Sequence, residues 1–259
     1  MKLRLFQVDA FAEKVFEGNP AAVVPLDEWL DDAVLLAIAS ENNLSETAFF
    51  VPEGSGYSLR WFTPEAEVDL CGHATLATAH VLFEHLGYGG DEVVFDSRSG
   101  ELKVRRCDAG LELDFPAAAS REIGIPSDMA EALGAKPRQV FEGGDCMVVF
   151  GSEAEIRSLS PDFRALARMP GRGVIATAPG DEVDFVSRCF YPRLRVDEDP
   201  VTGSAHCQMV PYWAERLGRD ELLARQVSAR GGTVRCRLAG ERVKLAGPAV
   251  DFLVGTIRL

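Results

Sequence analysis

An internal repeat constrains this chain more than any other feature. Arg60-x-Phe62-x-Pro64-x-x-x-Val68-Asp69 returns 128 residues later as Arg188-x-Phe190-x-Pro192-x-x-x-Val196-Asp197. After an insertion of three residues, Gly72-His73-Ala74 matches Gly203-Ser204-Ala205, and Glu84-His85-Leu86-Gly87 matches Glu215-Arg216-Leu217-Gly218. Each copy predicts a strand, a tight glycine turn and a helix that stops at a glycine. One repeat of this size specifies two domains of one fold; a solenoid would repeat every ~20–50 residues. Just before the insertion the copies differ, with Cys71 in the first and Asp199 in the second.

The 259 residues suffice for two domains that each bury a core. The run Asp114 to Ser120 is the boundary, giving domains at 1–117, with a returning strand at about 252–259, and at 118–251. A hydrophobic share of 47% with 26% charged residues describes a soluble globular chain. The net charge of -13 excludes a nucleic-acid surface, which needs a basic stripe. It leaves room for a small anionic ligand, because helix N-termini attract anions whatever the net charge. Six scattered cysteines without a C-x-x-C pair read as a reduced, cytoplasmic protein, and no apolar run is long enough for a membrane span.

Leu3 to Asp9 alternates as a half-buried strand, and Ala21 to Val24 follows the Gly18-Asn19-Pro20 turn as a more buried one. Asp27 is positioned to cap a helix over 28–42, with Leu30, Val34, Ala37 and Ile38 on one face. Strands follow at Thr47–Val51 and Tyr57–Phe62. From Ala74 to Phe83 the chain is small or apolar all round, which marks a helix buried on every side. A buried helix in a mostly β domain requires a sheet wrapped around it. In the second half, Ser160-Pro161 opens a helix, and Pro211 lies inside the next one, where it predicts a kink. Residues 252–257 are strand-like and predict pairing back onto the first domain.

The two glycine-led helix starts direct a site to the domain interface. Amide groups around Gly72, His73, Gly203 and Ser204 would hold a carboxylate there. The plainer alternative is that Gly72 and Gly203 only allow close packing. No His, Cys and carboxylate grouping has zinc-ligand spacing, so no metal is expected. His80, His85 and His206 read as structural.

Four motifs, Gly18-Asn19-Pro20-Ala21-Ala22-Val23, Asn43-Leu44-Ser45-Glu46-Thr47-Ala48-Phe49, Cys71-Gly72-His73-Ala74-Thr75 and Asp199-Pro200-Val201-Thr202-Gly203-Ser204-Ala205-His206, occur in one order along the chain. With them the sequence resembles the PhzF-type phenazine-biosynthesis isomerases. The resemblance implies the α+β fold of diaminopimelate epimerase: two pseudo-symmetric domains, each a curled mixed sheet around a central helix. It also implies a homodimer and a cofactor-independent isomerase that shifts a proton on a small carboxylate-bearing, anthranilate-like substrate. Glu46 then carries the proton, and His73, Asp199 and Ser204 bind substrate beside Gly72 and Gly203. The apolar run around Glu46 supplies the desolvated setting in which a carboxylate works in both directions near neutral pH.

Two alternatives stay open. Diaminopimelate epimerase uses facing cysteines; here Cys71 resembles the first, while the repeat sets Asp199 opposite it. That leaves a racemase or epimerase built on Cys71 as one alternative. A catalytically idle metabolite-binding protein of the same fold is the other.

Overall fold

A computed structural model describes residues 1–169 and 171–259. The chain forms two compact units, one of residues 1–114 with 246–259 and one of residues 115–245.

The first unit contains β1 (Lys2–Ala10), β2 (Asn19–Pro25), α1 (Asp32–Asn42), β3 (Glu46–Glu53), β4 (Gly56–Phe62), β5 (Glu67–Val68), α2 (Gly72–His85), β6 (Glu92–Asp96), β7 (Leu102–Cys107) and β8 (Gly110–Pro116). The terminal strand, Ala249–Arg258, returns to pair antiparallel with β1, Lys2 opposite Arg258. The sheet is mixed: β2 pairs parallel with β3 and β4 with β6, while β1–β2, β3–β4, β6–β7 and β7–β8 are antiparallel. It curls around α2, which packs on β1, β2, β3, β7 and the terminal strand. His73 to Ala79 and Val81 to Phe83 of that helix are all buried, as the run of small and apolar residues predicts. On the other face, Leu35, Ile38 and Ala39 of α1 bury against Val24, Phe49, Val51 and Phe62.

In the second unit come β9 (Arg121–Ile123), α3 (Met129–Leu133), β10 (Gln139–Glu142), β11 (Cys146–Val149), α4 (Glu153–Ser158), α5 (Phe163–Leu166), β12 (Val174–Pro179), β13 (Phe185–Tyr191), β14 (Val196–Asp199), α6 (Gly203–Leu217), β15 (Glu221–Gln226), β16 (Gly232–Ala239) and β17 (Arg242–Gly247). Its sheet is also mixed, with β11–β12 and β13–β15 parallel. Helix α6 packs on β15 and β16. Helices α3, α4 and α5 cover a separate cluster through Leu133, Ile156, Leu166, Val148 and Phe190. The fold is α+β.

The repeated arginine has the same job twice. Arg60 grips Glu67 with two hydrogen bonds of 2.7 Å across the β4–β5 hairpin and lies over the Phe62 ring. Arg188 grips Glu198 at 2.8 Å twice across β13–β14 and lies over the Phe190 ring. A bidentate carboxylate clasp backed by an aromatic face fixes each hairpin that leads to a buried helix.

Two local expectations change, and a third gains its detail. Helix α1 begins at Asp32, not 28, with Asp31 as its first-turn acceptor, because Trp29 and Leu30 pack onto the α1 cluster instead of joining the helix. Helix α5 is capped by Asp162, whose carboxylate accepts from the Arg164 and Ala165 amides, so Ser160-Pro161 lies outside it. Pro211 sits inside α6, where it has no N–H for the Cys207 carbonyl; the Ala118 amide takes that carbonyl at 3.0 Å, which offsets the lost bond.

Candidate active site

In the first unit three predicted residues meet. Helix α1 ends on Asn43 in the left-handed region, φ 50°, a conformation asparagine tolerates, and three residues later Glu46 opens β3 beside Ala21 of β2. Cys71 is the N-cap of α2 in extended conformation, and His73 follows in the first turn. Oε2 of Glu46 lies 3.2 Å from Nε2 of His73, and neither atom has an aligned hydrogen bond among the described residues although both are buried. Buried polar atoms without aligned hydrogen bonds are costly and concentrate where function needs them.

Asn19 completes the arrangement. Its amide Nδ2 lies 3.2 Å from Nδ1 of His73, and Sγ of Cys71 lies 3.5 Å from the same nitrogen. With the amide donating to Nδ1, the neutral ring carries its proton on Nε2, the atom that faces Glu46. The turn that delivers Asn19 depends on Gly18 at φ +65°, where an added Cβ would lie 2.1 Å from the Ala10 carbonyl oxygen. The sequence shows the Gly-Asn-Pro turn but not that its asparagine reaches a histidine 54 residues away.

Electrostatics separates the three groups. Burial pushes the Cys71 thiol up to about 11, with the Glu46 charge adding to it and the His73 ring and Ala74 amide opposing it less strongly. Burial pulls the His73 imidazolium down, yet Cys71 and Glu46 push harder and hold it well above the ordinary value of 6.5. Since the thiol is neutral near pH 7, Glu46 is the charge that favours the imidazolium there. Carboxylate, imidazole and thiol donor atoms lie within 4.8 Å of one another, close enough to share a proton or to hold a metal ion.

In the second unit, Asp199 ends β14 and its carboxylate accepts from the Thr202 hydroxyl. Buried Gln226 ties this loop down: its Nε2 donates to the Asp199 carbonyl at 2.6 Å and its Oε1 accepts from the Thr202 amide at 2.9 Å. Thr202 is the N-cap of α6, so Ser204 lies inside the first turn beyond Gly203 and is no cap. The Ser204 hydroxyl accepts from Arg172 at 2.9 Å. Arg172 is itself held by Asp145, 2% exposed, through bonds of 2.9 and 2.7 Å, and Asp145 also accepts from Tyr191 and the Gln208 side chain grips its backbone. Sequence reasoning missed this network. Its only trace is glycine placement: Gly173 leaves room for the Tyr191 ring, which an added Cβ would approach to 2.1 Å. His206 donates Nδ1–H to the Thr202 carbonyl at 2.7 Å, and full burial lowers it to about 4.

Comparison with known proteins identifies the class. Residues 8–255 match the phenazine biosynthesis-like protein family, PhzC-PhzF. An uncharacterized isomerase of Pseudomonas aeruginosa is 55% identical, covering 100% of both chains. The crystal structure of a PhzF-family phenazine biosynthesis protein from Enterococcus faecalis is 50% identical, covers 100% of both chains and superposes with a TM-score of 0.98. A hydroxyproline epimerase from Agrobacterium vitis, 12% identical over 99% of this chain and 92% of its own with a TM-score of 0.65, shares the fold alone. The chain belongs to the PhzC-PhzF family and is an enzyme of its isomerase class. No helix of the described residues is long and apolar enough to cross a membrane.

Proposed function

We propose that this protein is a cofactor-independent isomerase that moves a proton on a small carboxylate-bearing metabolite with an amino or hydroxy substituent. Glu46 is the general acid/base. Its carboxylate takes a proton from a carbon acid while the C–H electrons enter the substrate's conjugated system, then returns that proton to another carbon of the same molecule. His73, fixed by Asn19, supports the carboxylate and hydrogen-bonds the substrate. Asp199, Ser204 and the amides at Gly72 and Gly203 bind the substrate's polar groups, as the family resemblance implies.

The observation that supports this reading most is the Glu46 Oε2 and His73 Nε2 pair, buried and without aligned hydrogen bonds. Such a pair is prepared for a partner that folding alone does not provide. A mechanism on Cys71 is disfavoured, because a thiol held near 11 by burial presents little thiolate at neutral pH.

Incubation with pools of small carboxylates in D2O tests the reading. Deuterium entering carbon positions other than Cα supports the isomerase. Label confined to Cα of an α-amino acid would assign a racemase instead, and no label from any pool would leave a binding protein.

A further inference from the structure

A second cluster lies apart from Glu46, on the C-terminal half of α2. Nε2 of His80 is 3.1 Å from Oδ1 of Asp251, and Nε2 of His85 is 2.9 Å from Oδ2 of the same carboxylate. In a regular helix, residues five apart point in different directions. Here the last turn is widened, closing through the Leu86 amide to the Val81 carbonyl, so both rings reach one acid. The ring of Phe6, its centroid 4.9 Å from that of His85, fixes the second imidazole. Asp251 is delivered by the terminal strand next to a bulge, where Gln7 pairs with Leu253 but Val8 with Asp251. Bulges commonly re-aim a side chain toward a site.

We propose that His80, His85 and Asp251 bind a divalent first-row transition ion, with zinc as the favoured occupant. The three donor atoms lie within 4.8 Å of one another. Ligands about 2.0–2.1 Å from a tetrahedral zinc stand roughly 3.3 Å apart, within the 4.8 Å span of these donors, so small side-chain adjustments bring both Nε2 atoms and one Asp251 oxygen onto an ion. Two imidazoles and one carboxylate suit zinc, cobalt or nickel and do not suit calcium or magnesium, which take oxygen ligands. On binding, each ring keeps its proton on Nδ1 and gives the Nε2 lone pair to the ion. The Asp251 side chain is 38% exposed, which provides an entry path and leaves a fourth position to water. The ion would staple the terminal strand to the central helix of the first unit.

Metal-stripped protein titrated with Zn2+ by calorimetry and with Co2+ by absorption tests this, on the wild type and on Cys71→Ser. Expected are one saturable equivalent in both proteins, a rise in Tm on binding, and a Co2+ spectrum with d–d bands but no thiolate charge-transfer band. His85→Gln and Asp251→Asn, each checked for folding by Tm, should weaken binding at least about tenfold. No saturable binding would overturn the proposal, and so would undiminished binding in both variants. A thiolate band lost in Cys71→Ser with no other site remaining would overturn it too, placing the ion at Glu46, Cys71 and His73.

Discussion

The Nε2 nitrogen of His73 faces the Oε2 oxygen of Glu46 at 3.2 Å, both atoms out of water. The helix start that carries the imidazole and the strand start that carries the carboxylate are adjacent because β3 runs parallel beside β2, which α2 covers. Folding thus sets the facing atoms of this pair where solvent does not reach them, and the energetic consequences are measurable.

His73 makes stability depend on pH in a defined direction. Its folded pKa is raised above 6.5, so the folded state holds a proton that the unfolded chain releases. That contribution is complete below about 6.5 and is lost as pH rises through the folded value. His73→Gln removes it. The Tm gap between wild type and variant should be widest below about pH 6.5 and shrink as pH rises above it; a gap that grows with pH would contradict the assignment.

His206 acts with the opposite sign. Burial lowers it to about 4, so the unfolded chain binds a proton that the native state refuses between about 4 and 6.5, and stability falls as pH falls through that range. The loss approaches about 3 kcal/mol at the acid end, from about 1.4 kcal/mol per pKa unit. His206→Asn keeps a donor for the Thr202 carbonyl and should flatten this acid-side decline in urea melts, whatever it costs at pH 7.

Asp145 carries the network under Ser204. Replacing it with Ala leaves the Arg172 guanidinium and the Tyr191 hydroxyl without their acceptor, and should destabilise by about 2–4 kcal/mol. Arg172 is partly exposed, which keeps the figure below that of a fully buried pair. If Asp145→Ala unfolds at the same urea concentration as wild type, the network carries no stability.

Gly18 links backbone geometry to the site. Gly18→Ala puts a side chain into a left-handed turn and against the Ala10 carbonyl, so it should cost more than about 1 kcal/mol in denaturant melts. It should also displace Asn19 and move the imidazole NMR shifts of His73. A variant as stable as wild type, with the His73 signals unmoved, would show that the turn does not hold the site.

The repeat made the larger architecture legible, because a strand, a glycine and an apolar helix leave local marks wherever they occur. It placed α2 and α6 to within two residues at their starts, at Gly72 and Gly203. It did not reveal why its arginines recur. Glu67 lies seven residues after Arg60 and Glu198 ten after Arg188, so the clasped acids do not align and only the paired hairpins show them. Glu46, Cys71 and His73 were readable as motifs and Asn19 as part of one, whereas the reach of Asn19 to His73 and the pairing of Asp145 with Arg172 were not. Their contacts depend on which strands become neighbours, information that no short stretch of the chain contains. Helix starts at α1 and α5 were misjudged for a related reason: Trp29 and Leu30 had a cluster to join, and Asp162 was the better cap.

The central claim is that Glu46 carries the proton. Its most direct test is deuterium wash-in on one carboxylate substrate, comparing Glu46→Gln with Cys71→Ser, each confirmed folded by Tm. Glu46→Gln keeps the shape but cannot accept a proton, so exchange should fall by ~10²–10⁴-fold or more. Cys71→Ser should lose only a modest factor, through packing beside His73. An inactive Cys71→Ser beside an active Glu46→Gln would contradict the account and transfer the chemistry to the thiol.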